Sequence, residues 1–70
     1  MRSCPASLHR RIAWARKIAY DVSHMNSRGK AASTLTVVAE KYARQGQCDM
    51  ARTTLRHAIK SVRKALGGKR

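Results

Sequence analysis

Residues 49–66 read DMARTTLRHAIKSVRKAL. Within them Ala51, Leu55, Ala58, Ile59, Val62, Ala65 and Leu66 recur at steps of three and four, the spacing that brings side chains to one face of an α-helix. Asp49 stands where an N-cap carboxylate would accept from free amides and face the positive end of the helix dipole. Gly67 and Gly68 mark the stop. A helix is predicted over this stretch, and its apolar stripe needs a surface to cover it. Beside the stripe, Arg52, Arg56, Lys60, Arg63 and Lys64 cluster within about a third of the circumference.

Two further segments can supply that cover. Upstream, Ala31, Leu35, Val38, Ala39, Tyr42 and Ala43 share one face of a helix expected from Lys30 to Gln45. Arg44 sits in its last turn, where the dipole favours a cation, and Gly46 follows as a left-handed C-terminal cap. Thr34, Thr36, Val37 and Val38 form a β-branched run that lowers helix propensity locally. No polar–apolar alternation accompanies it, so the helix is preferred to a short strand. Further back, Leu8, Ile12, Ala15, Ile18, Ala19, Val22 and Met25 define a helix from Ser7 to Met25, with Ser7 as its cap and Pro5 stopping any extension upstream. Residues 23–29 read as a break punctuated by Gly29. The fold class is therefore all-α: one three-helix domain over residues 1–70, built on an antiparallel hairpin of helix-turn-helix type, with residues 1–6 and 67–70 flexible.

The core implied by this pattern is poor. Leu, Ile and Val together number eleven, the same as the alanines, and there is no Phe. Large aliphatics thus make up about 16% of the chain, below the rough 20% level at which high charge begins to oppose folding. A chain of this size buries only about 60% of its unfolded surface. Self-association is therefore expected, with Trp14, Ile18 and Met25 at the contact. Cys4 and Cys48 are too few and too far apart in sequence for a disulfide framework. They read as reduced thiols of a cytoplasmic protein. No signal peptide, transmembrane span or membrane-binding segment is expected.

The segment 35–62 also carries a motif. Leu35-x2-Val38-Ala39-x2-Tyr42, then Gly46, then Ala51-x3-Leu55 and Ala58, resembles a single tetratricopeptide repeat, a helical hairpin whose small residues let two helices touch closely. Leu35 replaces the family's Trp, and its closing Pro is missing. Ala39, Glu40 and Gly46 are also similar to the skeleton of small enterobacterial and phage-borne regulators of the PerC and ANR kind, whose following Leu-Trp is absent here. These resemblances imply a helical hairpin and a regulatory role. Separately, Arg52-Thr53-Thr54-Leu55-Arg56 has the residue types of a recognition helix, since Arg reads guanine edges and Thr contacts bases or phosphates.

Charge points to the partner. Sixteen Lys and Arg face three acids, for a net charge of +13. Self-repulsion on that scale opposes compaction, and an acidic partner relieves it. From Met50 to Arg70 there is no acid at all. That absence makes the row Arg52, Arg56, Lys60, Arg63 and Lys64 a binding face in preference to a merely solvated one. Arg10, Arg11 and Lys17 supply a second basic group, with His9 and Arg16 nearby and Trp14 interleaved. Paired carboxylates, metal-ligand spacings and phosphate-cradling Gly loops are missing, so no catalytic residue, cofactor or metal is assigned and no enzyme is expected. The sequence predicts a nucleic-acid-binding regulatory protein that grips phosphates. The other reading is a small phage- or plasmid-type inhibitor or adaptor docking on an acidic site of a host protein.

Overall fold

A computed structural model of the chain describes residues 4–67. It contains three helices, α1 (Ala6–Val22), α2 (Ser27–Arg44) and α3 (Cys48–Gly67). The β-branched run lies wholly inside α2. No helix among the described residues is long and apolar enough to cross a membrane.

The turn between α2 and α3 forms as its sequence dictates. Gly46 takes a positive φ of 79°, which glycine adopts without steric cost. The Gly46 amide donates to Ala43 at 3.1 Å and the Gln47 amide to Tyr42 at 2.9 Å, so two orphan carbonyls at the end of α2 are satisfied. The chain then reverses. At the far end of the pair, the Asn26 Nδ2 donates to the Ala65 carbonyl at 3.4 Å. Contact at both ends makes α2 and α3 an antiparallel hairpin lying side by side over its whole length. The crossing of roughly 90–120° typical of DNA-binding helix-turn-helix units is a different arrangement. The three helices make a rod of 42 × 19 × 16 Å.

The helix surfaces that meet are small. Gly29, Ala32, Thr36, Ala39 and Ala43 form the buried face of α2, and Ala51, Thr54, Leu55, Ala58, Val62 and Ala65 that of α3. Side chains of this size allow interaxial distances at the short end of the usual range. Leu8, Ile12, Ala15, Ala19 and Val22 of α1 close over them. The core divides along the rod. Cys4, Leu8, Ile12 and Ala15 pack with Ala39, Ala43, Ala51 and Leu55 at one end. Ala19 and Val22 pack with Ala32, Val62 and Ala65 at the other. Thr36, fully buried, donates its hydroxyl to the Ser33 carbonyl at 2.7 Å, so its burial leaves no unmet polar atom.

Several expectations are corrected. Gly29 does not punctuate a break; it lies inside α2, buried. A Cβ placed there would stand 1.8 Å from the Val22 carbonyl oxygen. Gly29 is thus required by close approach of the α1 end to the α2 start. The cap of α2 is Asn26, whose side chain accepts from the Gly29 amide at 3.0 Å. Helix α1 stops at Val22, leaving Met25 exposed in the turn, and Pro5, not Ser7, occupies its N-cap position. The inward face of α2 is rotated from the one expected, with Ala31 exposed and Leu35, Val38 and Tyr42 only half-buried. Larger side chains there would hold α3 off, so the smallest ones turn inward. Helix α3 begins at Cys48, with the Ala51 amide donating to the Gln47 carbonyl at 3.0 Å. Asp49 sits in the first turn and not at the cap. Leu66 is exposed.

The largest correction concerns the cysteines. Cys4 and Cys48 are not free thiols: they form a disulfide, with Cα atoms 5.6 Å apart. Their sequence separation of 44 hides a close spatial approach, because the hairpin turn returns the start of α3 to the start of α1. Cys4 is buried in the core cluster, and Ala6 already begins α1. Disulfides persist chiefly in oxidising compartments. The expectation of a cytoplasmic setting rested on free thiols and loses that support. Of the C-terminal segment 67–70 expected to be flexible, Gly67 is the last residue of α3, and 68–70, like 1–3, lie outside the described residues.

Two outcomes follow for stability. Closing a loop of this length by a disulfide restricts the unfolded chain by about 4 kcal/mol, a large share of a small domain's margin of roughly 5 kcal/mol. Cys48→Ser, or reduction of the native chain, is expected to move the urea midpoint sharply down; an unchanged midpoint refutes the link. Gly29→Ala is expected to destabilise by about 1–3 kcal/mol through overpacking, although Ala is the better helix former by about 1 kcal/mol. Gly67→Ala, with open space around it, is the control and is expected to be neutral or stabilising. Thermal melts of the two variants check the opposite signs.

Candidate nucleic-acid interface

Helices α1 and α3 run in the same direction. The disulfide joins their starts, and Ile18 and Val22 of α1 meet Val62 and Ala65 at the other end. Residues of α1 therefore lie level with residues about 44 further along the chain. The two helices are the less intimately packed pair of the three, and a groove opens between them. It is lined by Arg11 of α1 and by Arg52, Leu55, Arg56, Ile59, Lys60 and Arg63 of α3.

The local reason is the helix period. Arg52, Arg56, Ile59 and Arg63 follow one another at steps of three and four, about 5–6 Å apart, on the flank of α3 next to its buried stripe. Leu55 is buried and Ile59 half-buried, so they make an apolar floor. The arginines and Lys60 are exposed and form its rim. On α1, Arg11 precedes the buried Ile12 by one residue, which places it on the flank facing α3.

Electrostatics favour this groove because the acids lie elsewhere. Glu40 accepts from Arg16 of α1 and from Arg44 of its own helix, the latter at 3.1 Å. That pairing consumes two cations on the α1–α2 side of the rod. No ion pair joins Lys17 to Asp21, although they stand four apart on α1. Among the described residues only Asp49 pairs with a cation of the groove, with Oδ1 3.7 Å from Arg52 Nη1. The Asp49 side chain is fully exposed, and a solvated pair of this kind holds weakly. Arg52 is the cation it partly offsets, while Arg11, Arg56, Lys60 and Arg63 have no ion-pair partner among the described residues.

The expected site residues thus separate. Arg52, Arg56, Lys60 and Arg63 share one groove, as their spacing predicts. Lys64 is exposed but lies outside the lining. The second basic group divides: Arg11 joins the groove, Arg16 is committed to Glu40, and Arg10 and Lys17 point outward on the far face of α1. Trp14 is 57% exposed and stands one turn along α1 from Arg11. Ile18, the next turn on, is already packed within its own chain, and Met25 lies in the exposed turn after α1. The apolar floor and the partnership of Arg11 with α3 went unread in the sequence. Arg11's place next to Ile12 was the available signal, but reading it required knowing that α1 and α3 are neighbours.

Comparison of the chain with protein-family models, with characterised proteins and with solved structures finds no match.

Proposed function

We propose that the chain is a nucleic-acid-binding regulatory protein that grips phosphates in the groove between α1 and α3. One observation carries the reading: five cations from two helices, Arg11, Arg52, Arg56, Lys60 and Arg63, line a single groove. Phosphates along a nucleic-acid strand recur at a spacing close to that of successive helical turns, so several contacts can form together. Backbone contacts of this kind supply affinity and register without reading sequence. Lys64, Arg10 and Lys17 add long-range attraction from positions outside the groove.

The apolar floor also favours a second reading. An acidic segment of a host protein could pair its carboxylates with the same rim and lay an apolar side chain on Leu55 and Ile59. The chain would then act as an inhibitor or adaptor. Self-association through Trp14, Ile18 and Met25 is a less favoured use of this flank. Two copies meeting there would oppose their cation rows.

A titration with nucleic acid at several salt concentrations tests the proposal. The logarithm of the wild-type binding constant is expected to fall linearly with log salt. Arg56→Ala with Lys60→Ala is expected to weaken binding to every sequence and to flatten the log–log slope by about two, one for each phosphate contact removed. Replacing His9 and Lys41 is expected to change the slope by less than one. No binding by the wild type at low salt overturns the proposal, and loss of an acidic protein partner by the same double variant would favour the second reading.

A further inference from the structure

A duplex turns its charged backbone outward and keeps the faces of its bases stacked inside. A groove that contacts only a duplex backbone gains nothing from an apolar floor. This groove has one, in Leu55 and Ile59. It also has an aromatic side chain at hand. Trp14 lies one turn beyond Arg11 on α1 and one turn before Ile18. Arg11 lines the groove, and Ile18 packs against the cluster containing Val62 and Ala65 of α3. Trp14 does not itself line the groove; it stands on α1 just outside Arg11, at the level of Ala58 to Lys60 on α3. Its indole, more than half exposed, does not serve as a core anchor. A large aromatic left in water beside a row of cations is the arrangement that binds nucleotides with unpaired bases, the ring stacking on a base while the cations hold its phosphates.

From this we infer that the ligand class of the groove is single-stranded nucleic acid, with one base stacked on the Trp14 indole and the adjoining phosphates held by Arg11, Arg56, Lys60 and Arg63. The inference rests on the nucleic-acid reading above and narrows it. Stacking does not depend on which base is presented, since every base has a π-face. The groove therefore binds with little sequence preference, and strand state decides affinity. The acid-free segment of α3 supplies charge, and α1 supplies the test of whether the bases are available.

Trp14 is the sole tryptophan of the chain, so its fluorescence reports on this contact alone. The disulfide-intact chain is titrated with a thymidine 20-mer, with a duplex of the same length, and with poly-glutamate of matched charge. The thymidine oligomer is expected to quench Trp14 and to bind at least about tenfold more tightly than the duplex. Trp14→Ala, followed by fluorescence polarisation of a labelled oligomer, is expected to weaken single-strand binding by about 5- to 100-fold. Duplex binding is expected to stay within twofold, and Trp14→Phe to recover most of the loss. An unchanged circular-dichroism melt shows that the variants fold. Equal affinity for single strand and duplex, with no effect of Trp14→Ala on either, overturns the inference and leaves the phosphate-gripping reading standing. Binding of neither nucleic acid at low salt overturns both. Quenching by poly-glutamate at equal or lower concentration overturns the inference in favour of an acidic protein partner.

Discussion

Where α1 ends and α2 begins, the backbone of Gly29 lies against the carbonyl of Val22 with no room for a single methyl group. That approach sets the spacing of the whole bundle. It continues down α2 as Ala32, Thr36, Ala39 and Ala43, each small enough to keep a neighbouring helix close. A chain with few large aliphatics cannot stabilise a bundle by burying large side chains. It can bring backbones near enough for many alanine contacts, each slight and the sum appreciable. The cost is that little tolerance remains, and the far end needs another fastening. The Cys4–Cys48 disulfide supplies it, joining the starts of α1 and α3 opposite the Gly29 contact.

The same constraint shapes the groove. Close packing of α2 against both neighbours draws Glu40 into its pairs with Arg16 and Arg44, away from α3. Helices α1 and α3 meet less closely, and the gap between them is bordered by cations with Asp49 alone at its edge. Net charge of +13 thus becomes local. Glu40 is used where α1 and α2 pack, and five of the cations line the gap where α1 and α3 part.

Much of this was legible before the fold was known. The stripe of α3 and the Gly46 turn are written in local sequence, and the row Arg52, Arg56, Lys60 and Arg63 follows from the helix period. What could not be read depends on tertiary approach. Gly29 looks like a helix breaker because propensity describes an isolated helix, whereas its place is decided by Val22. The α2 face was misread for the same reason: hydrophobicity selects Leu35 and Val38, but steric fit selects Ala32 and Thr36. The disulfide joins residues 44 apart, and no spacing rule links such a pair until the hairpin reverses the chain. Arg11 entered the groove only once α1 was known to lie beside α3.

The groove as the place of binding is most directly tested by amide chemical shifts of the isotope-labelled, disulfide-intact chain as a thymidine oligomer is added. The largest perturbations are expected at Arg11, at Arg52 through Arg63 and at the Trp14 indole N–H, with Lys30, Thr34 and Lys41 on the outer face of α2 nearly unmoved. Perturbations centred on α2 and its Lys30, Lys41 and Arg44, with the groove residues silent, would contradict it.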